Sequence, residues 1–378
     1  MTIKDRISEK FSALFSGHGA FYMSAGRINL IGEHTDYNGG FVFPGAIDKG
    51  IWVEMKPNGG KSARVYSLDF VEYAEFGMDE KDKPSSSWAR YVFGVCREII
   101  KRGYAIGGFD AVFSGDVPLG AGLSSSAALE SAFGFGLNDM FSLGIPGFEL
   151  ALIGQATEHN YCGVNCGIMD QFASIFGKAG NLMRLDCMTL EYEYYPFAPE
   201  GYRLVLLDSV VKHELVGSPY NRRRESCERV AEKLGRKFLR GASMSDLEAV
   251  RADISEEDYR RARYVIGEEK RVMTVCDALQ KGDYETVGRM MYETHRGMRD
   301  DYEVSCEELD FLNNLALDCG VTGSRIMGGG FGGCTINLVR EGVYHDFIDK
   351  ATVSFASRYG HAPKVYDVVI SDGARRIG

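Results

Sequence analysis

The amino-acid sequence predicts a protein of two domains that mix helices and strands. The chain has 378 residues, which is long enough for two domains with substantial hydrophobic cores. In the first half, predicted strands and helices are interspersed between glycine-rich connections, whereas helices dominate the second half. The change near residues 196–201 marks the expected domain boundary.

The first half opens with a short amphipathic helix followed by a strand. Hydrophobic spacing also predicts the later helices; Trp88, Tyr91, Val92 and Val95, for example, share one side of a helix. The helices of this half are predicted at residues 5–16, 87–102, 127–140, 147–160 and 167–177, and the strands at 21–31, 50–56, 63–67, 109–115 and 181–185.

The second half is predicted to be mainly helical, with a strand at its start and two strands near its end. A glycine cluster precedes the first of those late strands. The helices are predicted at residues 219–234, 255–281, 283–302 and 306–319, and the strands at 202–211, 335–339 and 364–370.

The chain is acidic, with a formal net charge of −10 and a pI of about 5.3. A nucleic-acid-binding protein normally presents a basic surface, so this class is disfavoured. An acidic protein can still bind an anionic ligand where a helix N-terminus, a metal ion or single arginines supply positive potential.

The cysteines and the lack of targeting signals indicate a cytoplasmic protein. Nine cysteines are scattered without a C-x-x-C pair, which favours free thiols in a reducing compartment. The alternative is a zinc site, because His159, Cys162 and Cys166 are spaced loosely like metal ligands. The N-terminus lacks the apolar core of a signal peptide, and no apolar stretch is long enough to span a bilayer, so no membrane association is expected.

The stretch GRINLIGEHTDYNGG, at residues 26–40, places four polar residues beside an apolar run. Glu33, His34, Thr35 and Asp36 follow one another, with glycines on both sides. A solvated turn needs no such apolar surroundings. A site that binds a molecule covered in hydroxyl groups does, so we interpret this stretch as a candidate binding site.

The stretch GDVPLGAGLSSSAALES, at residues 115–131, predicts a phosphate-binding loop. Gly120 and Gly122 allow close backbone approach, and three serines at 124–126 lead into an apolar helix. Unpaired N–H groups and the positive end of the helix dipole would converge there. The alternative is a simple serine N-cap. The loop is not a Walker A motif, because no lysine follows its second glycine.

Two further stretches contain candidate functional residues. The formal G-x-G-x-x-G at residues 328–333 precedes a strand instead of opening a helix, so we interpret it as a loop that closes over a neighbouring site and not as a dinucleotide fingerprint.

In EHNYCGVNCGIMDQFAS, Asp170 lies in the first turn of a short helix, where the dipole favours its charged form. It is a candidate base or merely a helix-stabilising residue; Glu158, near the end of the preceding helix, is a candidate metal ligand or a solvated side chain.

Together these motifs resemble those of the galactokinases, within the GHMP kinase superfamily. GRINLIGEHTDYNGG resembles the galactokinase signature, PLGAGLSSSAALE the shared ATP-binding motif, MGGGFGGCT the third superfamily motif, and CGIMDQF the segment with the catalytic aspartate. The resemblance implies an α+β fold: an N-terminal ribosomal-protein-S5-like domain (1–197) and a C-terminal ferredoxin-like domain (198–378). The active site is expected in the cleft between them, and the terminal strand is a candidate to pack back on the first domain.

The resemblance also implies a reaction and the residues that perform it. The reaction is the transfer of phosphate from ATP to the C1 hydroxyl of α-D-galactose, with Mg²⁺, and no nucleic acid, membrane or obligate protein partner is implied. The catalytic residues would be Asp170 and Arg27; the sugar ligands Glu33, His34, Thr35, Asp36, Asp170 and Tyr220; the nucleotide ligands Ser67, Gly120, Ala121, Gly122, Leu123, Ser124, Ser125 and Ser126; and the Mg²⁺ ligands Ser126 and Glu158.

Three alternatives remain at this stage. The chain could phosphorylate a related sugar, such as N-acetylgalactosamine or arabinose. It could be a sensor that binds sugar and ATP without catalysis, although such proteins are expected to lose part of the serine–alanine stretch that is intact here at residues 126–128. The glycine cluster alone would suggest a nicotinamide-linked dehydrogenase.

Overall fold

The computed structural model describes residues 1–118, 122–211 and 219–378. Within these segments the helices are α1 (Ile3–Phe15), α2 (Ser87–Lys101), α3 (Ser125–Met140), α4 (Gly147–Thr157), α5 (Met169–Phe176), α6 (Pro219–Lys233), α7 (Met244–Ala249), α8 (Glu256–Gln280), α9 (Tyr284–Asp300), α10 (Glu307–Asp318) and α11 (Glu341–Tyr359). The strands are β1 (Ala20–Asn29), β2 (Phe41–Val42), β3 (Pro44–Pro57), β4 (Ser62–Ser67), β5 (Glu72–Gly77), β6 (Phe109–Gly115), β7 (Asn181–Asp186), β8 (Tyr192–Pro196), β9 (Tyr202–Asp208), β10 (Gly323–Ile326), β11 (Cys334–Arg340), β12 (Lys364–Val368) and β13 (Arg375–Ile377).

A six-stranded sheet forms the first layer of the fold, in the order β13-β1-β3-β6-β4-β5. Its pairs are antiparallel except for β4 with β6. Helices α2, α3 and α4 cover one face, where Trp88, Phe93, Phe113 and Phe133 share a buried aromatic core. The bulky side chains of this core fix α3, and with it the serine-rich turn at the start of α3, against the sheet.

A four-stranded antiparallel sheet, β10-β11-β9-β12, forms the second layer. One face packs on α10 and α11, with Val205 and Leu207 against Leu312, Phe347 and Phe355. Side chains on the other face of β9 and β11 join a larger core that includes residues from β1, α8 and α9. This core therefore connects the two sheets, and a third sheet, β2-β7-β8, lies beside the loop that follows β1.

The C-terminus returns to the first sheet. Strand β13 pairs antiparallel with β1, Phe21 opposite Ile377 and Met23 opposite Arg375. The boundary between residues 197 and 198 stays a prediction. Among the described residues, no helix has both the length and the apolar character that crossing a membrane would require.

The α+β class is confirmed, and most predicted elements are present, but several predicted ends are wrong. The α-helix predicted at 147–160 ends at Thr157, and a π-helical turn, Glu158–Cys162, follows it. The strand predicted at 202–211 ends at Asp208, because Val210 adopts a φ of 61°, which a strand does not allow. The prediction also missed α7, α11 and the strands β2, β5, β8, β10 and β13.

Candidate active site

A cavity of about 320 Å³ lies where the two layers meet. Its walls come from the end of β1 and the loop after it, the start of α3, the π-helical turn, the first turns of α5 and α6, and the glycine-rich loop after β10. The cavity brings together these residues singled out from the sequence: Arg27, Glu33, His34, Asp36, Gly122, Leu123, Ser124, Ser125, Ser126, Glu158, Asp170 and Tyr220.

A bulge near the end of β1 directs Arg27 towards this cavity. The pairing of β1 with β3 shifts register between Ala25 and Arg27. The backbone N–H of Arg27 donates to the Leu123 carbonyl at 3.2 Å. Only glycine fits at position 26, because a Cβ there would lie 2.8 Å from the Leu123 carbonyl oxygen. The bulge therefore joins β1 to the serine-rich turn and re-aims the arginine side chain.

Arg27 and Asp170 form a bidentate ion pair in the cavity. Arg27 Nε and Nη2 donate to the two Asp170 carboxylate oxygens at 2.7 and 2.8 Å, and Nη1 donates to the Gly122 carbonyl at 2.6 Å. Burial opposes the charge of the guanidinium, but the attraction of Asp170 and Glu33 outweighs it and raises the pKa of Arg27. The fork geometry fixes the Asp170 carboxylate as well as pairing its charge.

Ser124 supplies a further hydrogen bond to the same carboxylate. It stands before α3 with a φ of 56°, in the left-handed region, and its hydroxyl donates to Asp170. The simple N-cap interpretation therefore does not describe Ser124, since its side chain bonds Asp170 and not a backbone N–H of α3. Strain of this kind in a non-glycine residue is typical of functional sites.

Glu33 is buried and held by partners from the second layer. Its Oε1 accepts hydrogen bonds from Arg325 Nη2 at 3.0 Å and from the Gly328 N–H at 2.9 Å. Burial would raise the pKa of Glu33, but the charges of Arg325 and Arg27 outweigh it and keep the pKa below its usual range. Glu33 is therefore a fixed carboxylate before any ligand arrives.

His34 lies in a cluster of aromatic rings. Its backbone φ is 63°, and its Nδ1 is 2.7 Å from the Tyr37 hydroxyl oxygen. The centre of its ring lies 4.7 Å from the ring centre of Tyr302 and 5.4 Å from that of Tyr220. Burial lowers the pKa of His34 to about 4. The imidazole is therefore neutral at physiological pH, with one donor nitrogen and one acceptor nitrogen.

Asp36 opens a 3₁₀ turn, Asp36–Asn38, and lines the cavity opposite Gly167. A Cβ at position 167 would lie 1.8 Å from Asp36 Oδ2, so the glycine makes room for the carboxylate. Burial, followed by the nearby charge of Asp170, raises the pKa of Asp36 to about 7. Tyr220, in the first turn of α6, closes this side of the cavity with its ring against His34 and Tyr37.

Two predicted ligands do not line the cavity. Thr35 is fully buried, and its hydroxyl donates to the Gly32 and Phe41 carbonyls at 2.9 and 2.6 Å. Ser67 is also buried, and its Oγ accepts a hydrogen bond from the Phe70 N–H at 3.2 Å. Phe70 itself lines a smaller cavity, of about 140 Å³, that shares Ser125 and Ser126 with the main one.

Two buried carboxyl groups lie near the α3 end of the cavity: Glu158, which lines it, and Glu130, which lies behind the lining. Glu158 begins the π-helical turn, a rare geometry that is frequent at functional sites. Burial raises the pKa of Glu158 to about 7 although a hydrogen bond with Ser126 opposes the shift. Burial and the charge of Glu158 likewise raise the pKa of Glu130 well above its usual range. The predicted ligands Gly120 and Ala121 lie outside the described residues.

The candidate zinc ligands occupy other roles. His159 Nε2 is 2.9 Å from the Cys166 carbonyl oxygen, and Cys166 lines the cavity. Within the described part of the chain, no three His, Cys, Asp or Glu side chains are arranged to hold a metal ion.

Sequence reasoning missed Arg325, Tyr37 and Tyr302 as site residues. Arg325 is fully buried, and besides Glu33 it bonds the carbonyls of Asn29 and Leu30 at the end of β1. One signal was available: an arginine within the apolar strand pattern SRIM implies a buried anionic partner. The glycine loop behaves as predicted, because Gly328 and Gly329 line the cavity.

The fold and site define the class of the protein as a GHMP kinase. The GHMP kinase N-terminal domain matches residues 90–178, and the C-terminal domain matches residues 276–347. Mevalonate kinase from Methanococcus jannaschii shares the fold, with a TM-score of 0.67 and 15% identity over 95% of this chain and 100% of that one.

More specific matches identify the family. The galactokinase galactose-binding signature matches residues 9–57. Galactokinases from Clostridium acetobutylicum and Thermotoga petrophila are 40% and 41% identical; the former covers 100% of both chains, and the latter 93% of this chain and 98% of its own. The galactokinase of Lactococcus lactis, solved with galactose, has a TM-score of 0.95 and 35% identity over 100% of both chains. The chain belongs to the galactokinase family and is an ATP-dependent sugar kinase.

Proposed function

We propose that the protein transfers a phosphoryl group from ATP to the C1 hydroxyl of α-D-galactose, giving galactose 1-phosphate and ADP. The observation that carries this proposal is the position of the Arg27–Asp170 pair. It lies in one cavity between the polar loop at residues 30–40, from here on the sugar loop, and the serine-rich start of α3. Similarity to a galactokinase solved with galactose supports the choice of sugar.

Galactose recognition is assigned to the sugar loop, Asp170 and α6. The carboxylates of Glu33, Asp36 and Asp170 accept hydrogen bonds from hydroxyl groups, and His34 and Tyr220 complete the wall. A site built to pair every hydroxyl rejects epimers that leave buried polar groups unpaired. Thr35 supports the sugar loop from behind, since its hydroxyl is bonded to two backbone carbonyls.

Asp170 and Arg27 are assigned to catalysis. The bidentate contact holds the Asp170 carboxylate in a fixed orientation, so that it can orient the C1 hydroxyl and accept its proton. Phosphoryl transfer passes through a loose transition state with charge on the equatorial oxygens, and the nearby guanidinium can stabilise that charge. Since little proton removal is needed early, Asp170 contributes first by orientation.

The triphosphate is assigned to the sequence stretch at residues 120–126. The 16-residue helix α3 begins within this stretch, at Ser125, so its N-terminal N–H groups and dipole favour an anion. Ser125 and Ser126 line both this cavity and the smaller one beside it, which supports a nucleotide extending between the two. The role of Ser67 is proposed as indirect, through the turn that carries Phe70.

A divalent cation fits the residues at this end, and we propose Mg²⁺ held by Ser126 and Glu158. Glu130 Oε1 has no hydrogen-bond partner among the described residues, and both carboxyl groups have raised pKa values. Oxygen ligands are those that Mg²⁺ prefers. When bound, the cation would neutralise charge on the β- and γ-phosphates.

All nine cysteines are free, which supports a reducing, cytoplasmic location.

The test is ADP release from Mg·ATP with galactose, glucose, N-acetylgalactosamine, arabinose and mevalonate as acceptors. We expect release with galactose and a loss of about 10²- to 10⁴-fold in kcat for Asp170→Asn. The matched control is Asp110→Asn, because Asp110 forms a bidentate pair with Arg64 at the same distances outside the cavity. Release with another sugar would overturn the sugar assignment. Galactose binding without release would favour the sensor.

A further inference from the structure

We propose that helix α8 positions Glu33 for sugar recognition by binding the backbone on both sides of it. Glu268 accepts a hydrogen bond from the Gly32 N–H, and the Tyr264 hydroxyl donates to the Glu33 carbonyl. Neither of these side chains lines the cavity, so both are positioning residues and not catalytic ones. The inference rests on the proposed function and deepens it, because it names what holds one sugar ligand in place.

The backbone of the sugar loop leaves its strand-like pairing at Gly32. Before that point, the Leu30 N–H donates to the Phe43 carbonyl at 3.0 Å, and the Phe43 N–H donates to the Ile31 carbonyl at 3.1 Å. Gly32 has a φ of 93°, which glycine adopts readily and a strand does not allow. Its N–H donates to Glu268 Oε1 at 2.8 Å. The N–H group that the pairing leaves over is therefore bound by α8.

One face of α8 provides all the contacts at this point. Tyr264, Glu268 and Val272 are spaced four residues apart, so they lie along one side of the helix. The Tyr264 hydroxyl reaches the Glu33 carbonyl at 3.1 Å. A Cβ on Gly32 would lie 3.0 Å from a methyl carbon of Val272, so the glycine packs closely on the helix. Two successive residues of the sugar loop are thereby fixed against α8.

Glu268 is itself held by two further donors. Its second oxygen, Oε2, accepts hydrogen bonds from Arg271 Nε at 2.7 Å and from the Thr294 hydroxyl at 2.8 Å. Both Glu268 and Thr294 are fully buried. Burial opposes the charge of Arg271, but the attraction of Glu268 outweighs it and raises the pKa of Arg271. A buried carboxylate with donors on both oxygens has a fixed orientation, so it offers the Gly32 N–H a fixed acceptor.

Helix α9 supports both positioning residues from behind. Thr294 binds Glu268, and Gly297, three residues later on the same helix, faces the ring of Tyr264. A Cβ at position 297 would lie 2.7 Å from a carbon of that ring, so the glycine allows the ring to approach α9 closely. The position of the sugar loop therefore depends on how two helices of the second half pack together.

The carboxylate and the backbone of Glu33 are held by different elements. Arg325 on β10 and the Gly328 N–H bind the carboxylate, whereas α8 binds the backbone. A hydrogen bond to a sugar hydroxyl depends steeply on distance and angle. Loss of the backbone contacts should therefore weaken sugar binding and leave the Arg27–Asp170 pair intact.

The first test measures whether α8 holds the sugar loop, and it needs no substrate. Amide hydrogen exchange is followed by mass spectrometry in a peptide that contains Gly32. We expect faster exchange in Tyr264→Phe and in Glu268→Gln, since a glutamine has one acceptor oxygen for three donors. The matched control is Tyr259→Phe, because the Tyr259 hydroxyl, also on α8, donates to Glu248 instead. Exchange at the wild-type rate in both test variants would overturn the inference.

The second test separates sugar binding from catalysis. We expect KM for galactose to rise about three- to tenfold in Tyr264→Phe, as for one lost hydrogen bond, and at least about tenfold in Glu268→Gln. For Tyr264→Phe, kcat and KM for ATP should stay within about twofold. The control is Asp258→Asn, which changes a buried carboxylate of α8 that pairs with Arg229 on α6.

The control variant should lose stability but keep the wild-type KM for galactose. An equal rise in KM for Asp258→Asn would show that any loosening of α8 has the same effect, and would contradict a positioning role. An unchanged KM in Tyr264→Phe, or a fall in kcat as large as the rise in KM, would contradict it too.

The third test asks whether the effect passes through Glu33. In a Glu33→Gln background, Tyr264→Phe should raise KM for galactose by less than about twofold, because the group that it positions is already altered. Among deoxy galactoses, the analogue least affected by Glu33→Gln should also be least affected by Tyr264→Phe. Multiplicative effects of the two changes would overturn the inference. If exchange changes as expected but the wild type releases no ADP with galactose, the proposed function is refuted instead.

Discussion

Two buried carboxyl groups at opposite ends of the cavity, Glu33 and Glu158, have pKa values shifted in opposite directions. At the sugar end, Glu33 is matched by Arg325 and the Gly328 N–H, and its pKa is lowered. At the phosphate end, burial raises the pKa of Glu158 to about 7, and it raises the pKa of Glu130 as well. Glu33 has its counter-charge in place, whereas Glu158, Glu130 and also Asp36 are carboxyl groups whose ionised form burial disfavours.

This difference follows from what each end is proposed to bind. A sugar is neutral and is recognised by the direction of its hydroxyl groups, so its ligands must be fixed in advance. A triphosphate arrives with a cation, which can supply the missing positive charge. The Glu33–Arg325 pair is therefore expected to contribute to stability, whereas Glu158 is expected to reduce stability in favour of activity.

The largest expected effect is at the sugar end, on removal of Arg325. Arg325→Met leaves Glu33 buried without its counter-charge, and breaking a buried pair in this way typically costs about 3–5 kcal/mol. We expect the free energy of unfolding, measured in urea, to fall by about that amount, and we expect KM for galactose to rise because Glu33 loses its fixed position.

The control for Arg325 is Arg340→Met on the adjacent strand. Arg340 pairs with Glu285, but its side chain is 55% exposed and that of Glu285 63%, so the expected loss is below about 1 kcal/mol. The double variant Arg325→Met with Glu33→Gln should recover part of the stability. If Arg325→Met lowers the free energy of unfolding as little as the control does, Glu33 does not depend on Arg325 for its counter-charge.

At the phosphate end, Glu158→Gln is expected to stabilise the protein while it impairs activity. A pKa of about 7 instead of 4.5 corresponds to about 3 kcal/mol of destabilisation when the group is ionised. Because the folded pKa is raised, this cost is fully present above pH 7 and disappears below about pH 4.5. In EDTA at pH 8, we expect the variant to unfold at a higher urea concentration than the wild type.

Activity and metal dependence separate this prediction from a general effect of glutamine. Mg²⁺ should raise the Tm of the wild type but not that of Glu158→Gln, whose kcat should fall by at least about tenfold. Glu149→Gln, on the helix α4 that precedes Glu158, should leave the activity and the response to Mg²⁺ unchanged. If Glu158→Gln is destabilised in EDTA, Glu33 and Glu158 do not differ as we infer.

A smaller effect should appear in the pH dependence of stability. Burial lowers the pKa of His34 to about 4 from 6.5, so the unfolded chain binds a proton that the folded chain refuses. Stability from this group is present above pH 6.5 and is lost as the pH falls towards 4. Between pH 6.5 and pH 5, the wild type should lose about 2 kcal/mol more than His34→Gln.

The comparison for His34 is His361→Gln, which changes an exposed histidine near the C-terminus. This variant should keep the wild-type slope of unfolding free energy against pH. Parallel slopes for wild type and His34→Gln would show that His34 is more hydrated than its surroundings imply, and would weaken the description of the sugar end as a dry, preformed site.

Hydrophobic patterns in the sequence predicted much of the fold. They failed where an element buries only a narrow line of side chains, or where pairing with a distant strand holds it in place. Helix α11 was missed because its buried positions, Phe347, Ala351 and Phe355, form a single line within a mostly polar segment. Strand β2 has two residues and is fixed by pairing with β7, not by its own composition. Side-chain periodicity carries no information about such pairings.

The site was predicted where motifs are contiguous and missed where contacts are distant. Arg325 and Glu33 are separated by 292 residues, so no local pattern joins them. Thr35 shows the reverse case: it is adjacent in sequence to two cavity residues, but it does not line the cavity, and its role as a sugar ligand stays a prediction. Because His34 has a positive φ and a 3₁₀ turn begins at Asp36, the Thr35 side chain between them points into the fold.

The smallest effect is expected where Arg240 holds the outer end of the sugar loop. Arg240 donates to the Gly39 carbonyl at 2.9 Å and to both Asp186 oxygens at 3.1 and 2.9 Å, and it stacks 3.9 Å from the centre of the Phe41 ring. The pair is partly solvated, so Arg240→Gln should cost only about 1 kcal/mol of stability. KM for galactose should still rise about threefold, because the loop loses an anchor.

The neighbouring variant Arg236→Gln makes this last comparison quantitative. Arg236 pairs with Asp246 at 3.4 Å, with both side chains more than one-third exposed, so neither stability nor KM should change measurably. If Arg240→Gln raises KM for ATP as much as KM for galactose, the anchor serves the closure of the whole cavity. A selective change in KM for galactose would mean that the rigidity of the sugar end is maintained from its outer edge as well as from Arg325.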